Sequence, residues 1–118
     1  MTAPSLSRRL AAIVEALPLR PGMRVLEIGC GPGAAARAVA ARIGCGYVLG
    51  IDRSAKAIAR AQAASSDLIA MGRVGFRQVA AESLDLAPGE APFDLAFAVR
   101  VGALDGRYPE QGRLALQR

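Results

Sequence analysis

The stretch VLEIGCGPG, from Val25 to Gly33, follows a short apolar run with a carboxylate at Glu27 and then three glycines, Gly29, Gly31 and Gly33. Glycines at this spacing let the backbone approach a ligand closely, because without a Cβ they adopt φ > 0 and leave no side chain in the way. With Ala34 in the last slot, GCGPGA satisfies the GxGxxG/A fingerprint of a dinucleotide-binding turn. Asp52 follows at the distance where an acidic group grips a ribose. The glycine pattern alone does not separate the candidate ligands.

Glu27 separates them better. A dinucleotide sets a pyrophosphate against the N-terminus of the following helix. A carboxylate within about 4 Å opposes it by about 4 kcal/mol at an effective dielectric near 20, several tenfold steps in affinity. A ligand bearing an ammonium and a sulfonium gains from the same carboxylate, directly or through a bridging water.

These residues need elements to hold them. Ser7 to Leu17, SRRLAAIVEAL, has Leu10, Ile13, Val14 and Leu17 at helical spacing and Ser7 as N-cap, and Pro18 stops it. MRVLEI, Met23 to Ile28, reads as strand one, and AAARAVAARI, Ala34 to Ile43, as a helix ended by Gly44. YVLGI, Tyr47 to Ile51, is strand two, with Asp52 at its end and Ser54 capping the helix AKAIARAQAA. A further helical turn around Asp67 to Met71 ends at Gly72, and strand three runs from Val74 to Ala80. ESLDLAPGEAP is turn chemistry, FDLAFAV from Phe93 to Val99 is strand four, and Pro109 opens one more helix. Strands alternating with helices predict parallel pairing and a doubly wound α/β sheet in a single domain over residues 1–118.

Composition narrows the function classes. The net charge of +5 comes from 15 basic residues, mostly Arg, and 10 acidic ones, and the arginines are scattered. Phosphate tracking needs clustered charge, and no aromatic residues interleave the basic ones, so a nucleic-acid partner is disfavoured. No apolar run reaches the ~18 residues of a membrane span. The N-terminal segment, broken by Glu15 and Pro18, does not read as a signal peptide. Two cysteines, Cys30 and Cys45, and no histidine leave no zinc framework and no metal site, and they point to a cytoplasmic protein. Cys30 reads as a small residue between glycines rather than a nucleophile, since no base stands near it.

RVLEIGCGPG resembles the first motif of the class I methyltransferases that use S-adenosylmethionine, a Rossmann-like family. The resemblance implies that Glu27, Gly29, Gly31 and Gly33 lie along the methionine moiety and that Asp52, in GIDRS, binds both ribose hydroxyls. It continues through GFRQVAAESLDL, where the family places the adenine-contacting loop, and through FDLAFAV, similar to its fourth strand. The family often carries an Asp in that loop, and here Ala80 takes its place. The backbone at Ala81 or the Glu82 carboxylate is then left to receive the adenine amino group, with Arg53 laid along the adenine face. Arg100 stands where the family lines its methyl-transfer pocket, Tyr108 is a weaker candidate, and no catalytic base is assigned.

The resemblance implies a sheet in strand order 3-2-1-4-5-7-6, and strand four has the continuous apolar run of a strand buried on both faces. Little chain follows Val99, so the sheet is expected to stop after strand four and leave an apolar edge. The expectation is therefore a fragment of a longer methyltransferase, or a protein whose edge is covered by self-association or by a partner. Two further readings stay open: a non-catalytic module that keeps the fold for binding, and an NAD(P)-binding domain. The methyl acceptor is unassigned, a small molecule being favoured over nucleic acid.

Overall fold

A computed structural model describes residues 7–84 and 90–98. Val99, Arg100, Tyr108 and the helix expected from Pro109 lie outside the described residues, as does the middle of the ESLDLAPGEAP turn. Four strands, β1 (Arg24–Ile28), β2 (Tyr47–Asp52), β3 (Val74–Gln78) and β4 (Leu95–Ala98), form one sheet in the order β3-β2-β1-β4. All three pairings are parallel. The chain builds outward from β1 through β2 to β3 and then returns to the other side of β1. This puts the reversal of strand order at β1, and in open parallel sheets ligands bind beyond the carboxyl ends of the strands at such a reversal.

Helices α1 (Arg8–Ala16), α2 (Ala34–Arg42), α3 (Ala55–Ala64) and α4 (Ser66–Ala70) agree with the sequence reading to within a residue or two. The two predicted serine caps are present. Ser7 Oγ accepts from the Leu10 N–H and Ser54 Oγ from the Ala57 N–H, both at 3.1 Å. Each satisfies a donor that the first helical turn leaves without an intrahelical partner.

The core has two parts because the strand period sends alternate side chains to opposite faces. Val25, Val48, Val74 and Phe97 pack on one face against Leu10 and Val14 of α1 and Ala35, Ala36, Val39 and Ala40 of α2. The run of alanines on α2 brings that helix close to the sheet. Leu26, Leu49, Ile51 and Ala96 form the core of the other face. Among the described residues, Val79, Leu84 and Phe93 from the β3–β4 connection pack against it.

Strand three ends earlier than the sequence predicts, at Gln78, and strand four starts later, at Leu95. At β4 the reason is Asp94, whose carboxylate accepts from the Arg24 N–H at 2.9 Å while its own N–H donates to the Arg24 carbonyl at 2.7 Å. The side chain thus occupies a donor that a longer strand would have used. After β3 the connection tightens into a 3-10 turn over Ala81–Ser83.

Gly50, in the middle of β2, is a glycine for lack of space. A Cβ there would lie 2.9 Å from Cys30 Cβ, 2.9 Å from Phe76 Cδ1 and 3.0 Å from Cys30 Sγ. Cys30 is buried and Phe76 is packed against the core, so an added methyl group must displace packed side chains. Gly50→Ala is expected to destabilise the fold by about 1–3 kcal/mol, the usual cost of overpacking, read as a lower urea midpoint with unchanged slope.

Candidate functional site

The glycine turn is shaped by hydrogen bonds back onto β2. As the chain leaves β1, the Gly29 and Cys30 N–H groups both donate to the Ile51 carbonyl, at 2.8 and 2.9 Å. Gly29, Gly31 and Gly33 have φ of 71°, 54° and 87°, which the sequence spacing anticipates, and Gly33 is the N-cap of α2. Residues with a Cβ reach these angles only at a cost of roughly 1–2 kcal/mol each.

Asp52 ties the turn to the next one. Its Oδ2 accepts from the Gly31 N–H at 2.9 Å and its Oδ1 from the Ser54 N–H at 2.9 Å. One carboxylate therefore fixes both the glycine loop and the start of α3. The Asp52 carbonyl also accepts from the Val79 N–H at 3.0 Å. That bond continues the β2–β3 pairing one residue beyond β3, and the 3-10 turn, closed by Ser83 N–H donating to the Ala80 carbonyl at 2.9 Å, sets Ala81 and Glu82 beside it.

The result is a cavity of about 220 Å³ lined by Ile28, Gly29, Ile51, Asp52, Arg53, Val79, Ala81 and Glu82. On the same measure a single water needs about 10–15 Å³, so the space admits an organic group of substantial size. Five residues singled out in the sequence, Gly29, Asp52, Arg53, Ala81 and Glu82, meet at this one cavity. Its apolar walls, Ile28, Ile51 and Val79, were not singled out. The signal was available, since Ile28 and Ile51 are the apolar residues at the carboxyl ends of two parallel strands.

Glu27, Gly31 and Gly33 are not among the lining residues of this cavity. Glu27 is buried at 1% exposure and its register neighbours are Gly50 and Phe97. By alternation it shares a face with Val25 and Phe97, the α2 side, whereas Ile28 turns to the cavity side. Gly31 acts through its N–H to Asp52. Gly33 provides clearance: a Cβ on it would stand 2.9 Å from Phe76 Cζ, 3.0 Å from Arg37 Nη1 and 3.1 Å from Ala61 Cβ.

Arg37, on the first turn of α2, was not anticipated. Its Nη1 donates to the Pro32 carbonyl at 2.9 Å and to Ser65 Oγ at 3.1 Å. Burial holds its pKa below the ordinary arginine value, and the negative charge of Glu27 pulls it part of the way back. The guanidinium stays charged at neutral pH. The buried carboxylate thus sits under the turn within the electrostatic reach of a cation on α2.

A family model described as a methyltransferase domain matches residues 25–112. A protein-L-isoaspartate O-methyltransferase of Methylorubrum populi is 42% identical over 101 residues, covering 86% of this chain and 43% of that protein. A trans-aconitate 2-methyltransferase of Streptomyces avermitilis is 35% identical over 86 residues, covering 73% and 30%. Among solved structures, an S-adenosylmethionine-dependent methyltransferase from Mesorhizobium loti superposes with a TM-score of 0.58 at 34% identity, covering 76% of this chain and 37% of that one. The chain spans less than half the length of the curated relatives it matches. A match over most of the chain, together with the strand order and the glycine turn after β1, places it in a family: the chain belongs to the class I S-adenosylmethionine-dependent methyltransferases.

Proposed function

We propose that this chain is the cofactor-binding part of an S-adenosylmethionine-dependent methyltransferase and that the cavity at the ends of β1 and β2 receives the adenosine half of the cofactor. The observation that carries this reading is the meeting of Gly29, Asp52, Arg53, Ala81 and Glu82 around one cavity at the reversal of strand order. The residues fit the group. A carboxylate offers about four lone-pair positions, and Asp52 commits one on each oxygen to a backbone N–H, which leaves one on each for the two ribose hydroxyls. Ile28, Ile51 and Val79 supply apolar surface for a flat base, Arg53 at the exposed rim can stack on its face, and Ala81 or Glu82 meets its amino edge.

When bound, the cofactor supplies a methyl group activated on a sulfonium. The chain's own part is to hold that group in place. Gly29 leaves the turn open for the methionine portion, Gly31 transmits the position of Asp52 to the loop, and Glu27 beneath the turn contributes negative charge on the α2 side. That charge counters the positive end of the helix, which would otherwise favour a diphosphate. Orientation of donor and acceptor provides much of the acceleration in such a transfer.

The methyl acceptor is proposed to be a small molecule rather than nucleic acid, because the arginines are scattered. One named relative acts on protein isoaspartate and another on trans-aconitate. No helix among the described residues is long and apolar enough to cross a membrane, and we place the protein in the cytoplasm. Association through the β4 edge belongs to the same proposal. Calorimetry with S-adenosylhomocysteine and, separately, with a reduced nicotinamide dinucleotide tests the reading. Saturable binding of the first and none of the second is expected. The reverse order would give the site to a dinucleotide, and no binding of either would leave the domain without this cofactor role.

A further inference from the structure

The contact made by Arg37 lies outside the cavity and joins three elements far apart in sequence. Pro32 belongs to the glycine turn, Arg37 to α2, and Ser65 to the junction between α3 and α4. Ser65 is 2% exposed, so its hydroxyl is held inside the protein. Two N–H groups of one guanidinium nitrogen serve both acceptors, an arrangement a planar, always-charged group makes with little rearrangement. Gly33 leaves room for it, since a side chain there would meet Nη1 at 3.0 Å.

We propose that Arg37 is a positioning residue for the cofactor turn: bonded at once to the Pro32 carbonyl and the Ser65 hydroxyl, it holds the Gly29–Gly33 loop in its ligand-receiving shape and anchors it to the end of α3. The physical need is clear. Three consecutive odd positions of the loop adopt left-handed angles, and a glycine-rich segment has the most conformational freedom to lose on ordering. Asp52 holds the loop at Gly31 from the β2 side. Arg37 holds it at Pro32 from the opposite, α2 side. With both in place the turn is fixed on two sides before any ligand arrives, and the ordering cost is not drawn from binding. Arg37 bonds to Pro32 and Ser65, neither of which lines the cavity, and it acts through the loop.

The consequence for ligand affinity rests on the cofactor reading above, whereas the consequence for loop order does not. The test therefore uses two measurements on the whole chain: amide hydrogen exchange by NMR and calorimetry with S-adenosylhomocysteine. Arg37→Met keeps the length of the side chain and removes the donors. It is expected to speed exchange at the Gly31 and Gly33 amides about tenfold relative to Val25 and Val48 in the central strands, and to weaken S-adenosylhomocysteine about tenfold. Arg37→Lys, which keeps charge and can serve one acceptor at a time, should recover part of both. Ser65→Ala removes a single bond and should give about a threefold effect on loop exchange; it decides the matter if Arg37→Met does not fold. Unchanged loop exchange, or equal acceleration in loop and strands, would overturn the role of Arg37. If the unaltered chain binds no S-adenosylhomocysteine, the cofactor reading fails and the exchange measurement still decides the positioning role.

Discussion

Asp52→Ala should weaken binding of S-adenosylhomocysteine by about 3 kcal/mol, more than a hundredfold, in calorimetry at neutral pH. Two charge-assisted hydrogen bonds to ribose hydroxyls are removed, and each is worth about 1.5–3 kcal/mol. The variant also releases the Gly31 and Ser54 N–H groups, which in the native protein end on the two oxygens of this carboxylate at 2.9 Å. Some of the loss therefore comes from a looser turn. Asp52→Asn separates the contributions. It keeps one acceptor oxygen but turns an NH2 group toward one of the two N–H donors, so one backbone bond must break whichever way the amide points. Its affinity should fall nearly as far as that of Asp52→Ala. The effect on folding should be modest in both, a drop of about 5 °C in melting temperature, because these bonds lie at a half-exposed position where water can replace them. Native affinity in Asp52→Ala would remove this residue from the site.

Much of this arrangement was legible in the sequence because it depends on local chemistry. The serines before α1 and α3, the glycines after β1 and the acidic end of β2 each act within a few residues of themselves, so residue type and spacing suffice to place them. The parallel order followed from strand–helix alternation. What was not legible depends on which face of the sheet a side chain takes and on contacts across long stretches of chain. The spacing puts Glu27 at the tip of β1, whereas the alternation of side chains that puts Ile28 in the cavity wall turns Glu27 to the α2 face. The spacing of Gly33 shows nothing of the side chains of Phe76, Arg37 and Ala61, which a Cβ there would meet. Arg37 and Ser65 stand 28 positions apart in sequence and meet only through the folded arrangement. At the start of β1, Arg24 lies 5.2 Å from the ring centres of both Tyr47 and Phe93, a grouping no spacing rule predicts.

The burial of Glu27 yields the second large effect, which falls on stability as well as on ligand choice. Glu27→Ala removes a carboxylate that is 1% exposed and leaves both a void and a less compensated Arg37. Breaking a fully buried pair costs about 3–5 kcal/mol, but Arg37 is half-exposed and partly screened by water, so a loss of about 2–3 kcal/mol is expected. Arginine does not shed its proton near neutral pH, so the cost appears as weaker folding and not as a new titration. In urea this reads as a lower midpoint, out of a total stability of about 5–15 kcal/mol. Glu27→Gln keeps the shape and removes only the charge, and it isolates the electrostatic role. A unit charge about 8 Å from a ligand charge at an effective dielectric near 20 contributes about 2 kcal/mol, roughly thirtyfold in affinity. Removing it should weaken a cationic sulfonium ligand and strengthen a diphosphate by comparable factors. S-adenosylmethionine and ADP-ribose, titrated side by side into Glu27→Gln and the unaltered chain, should therefore move in opposite directions. A parallel loss for both would mean that Glu27 only supports the fold, and the charge-based choice between the two ligand classes would have to be abandoned.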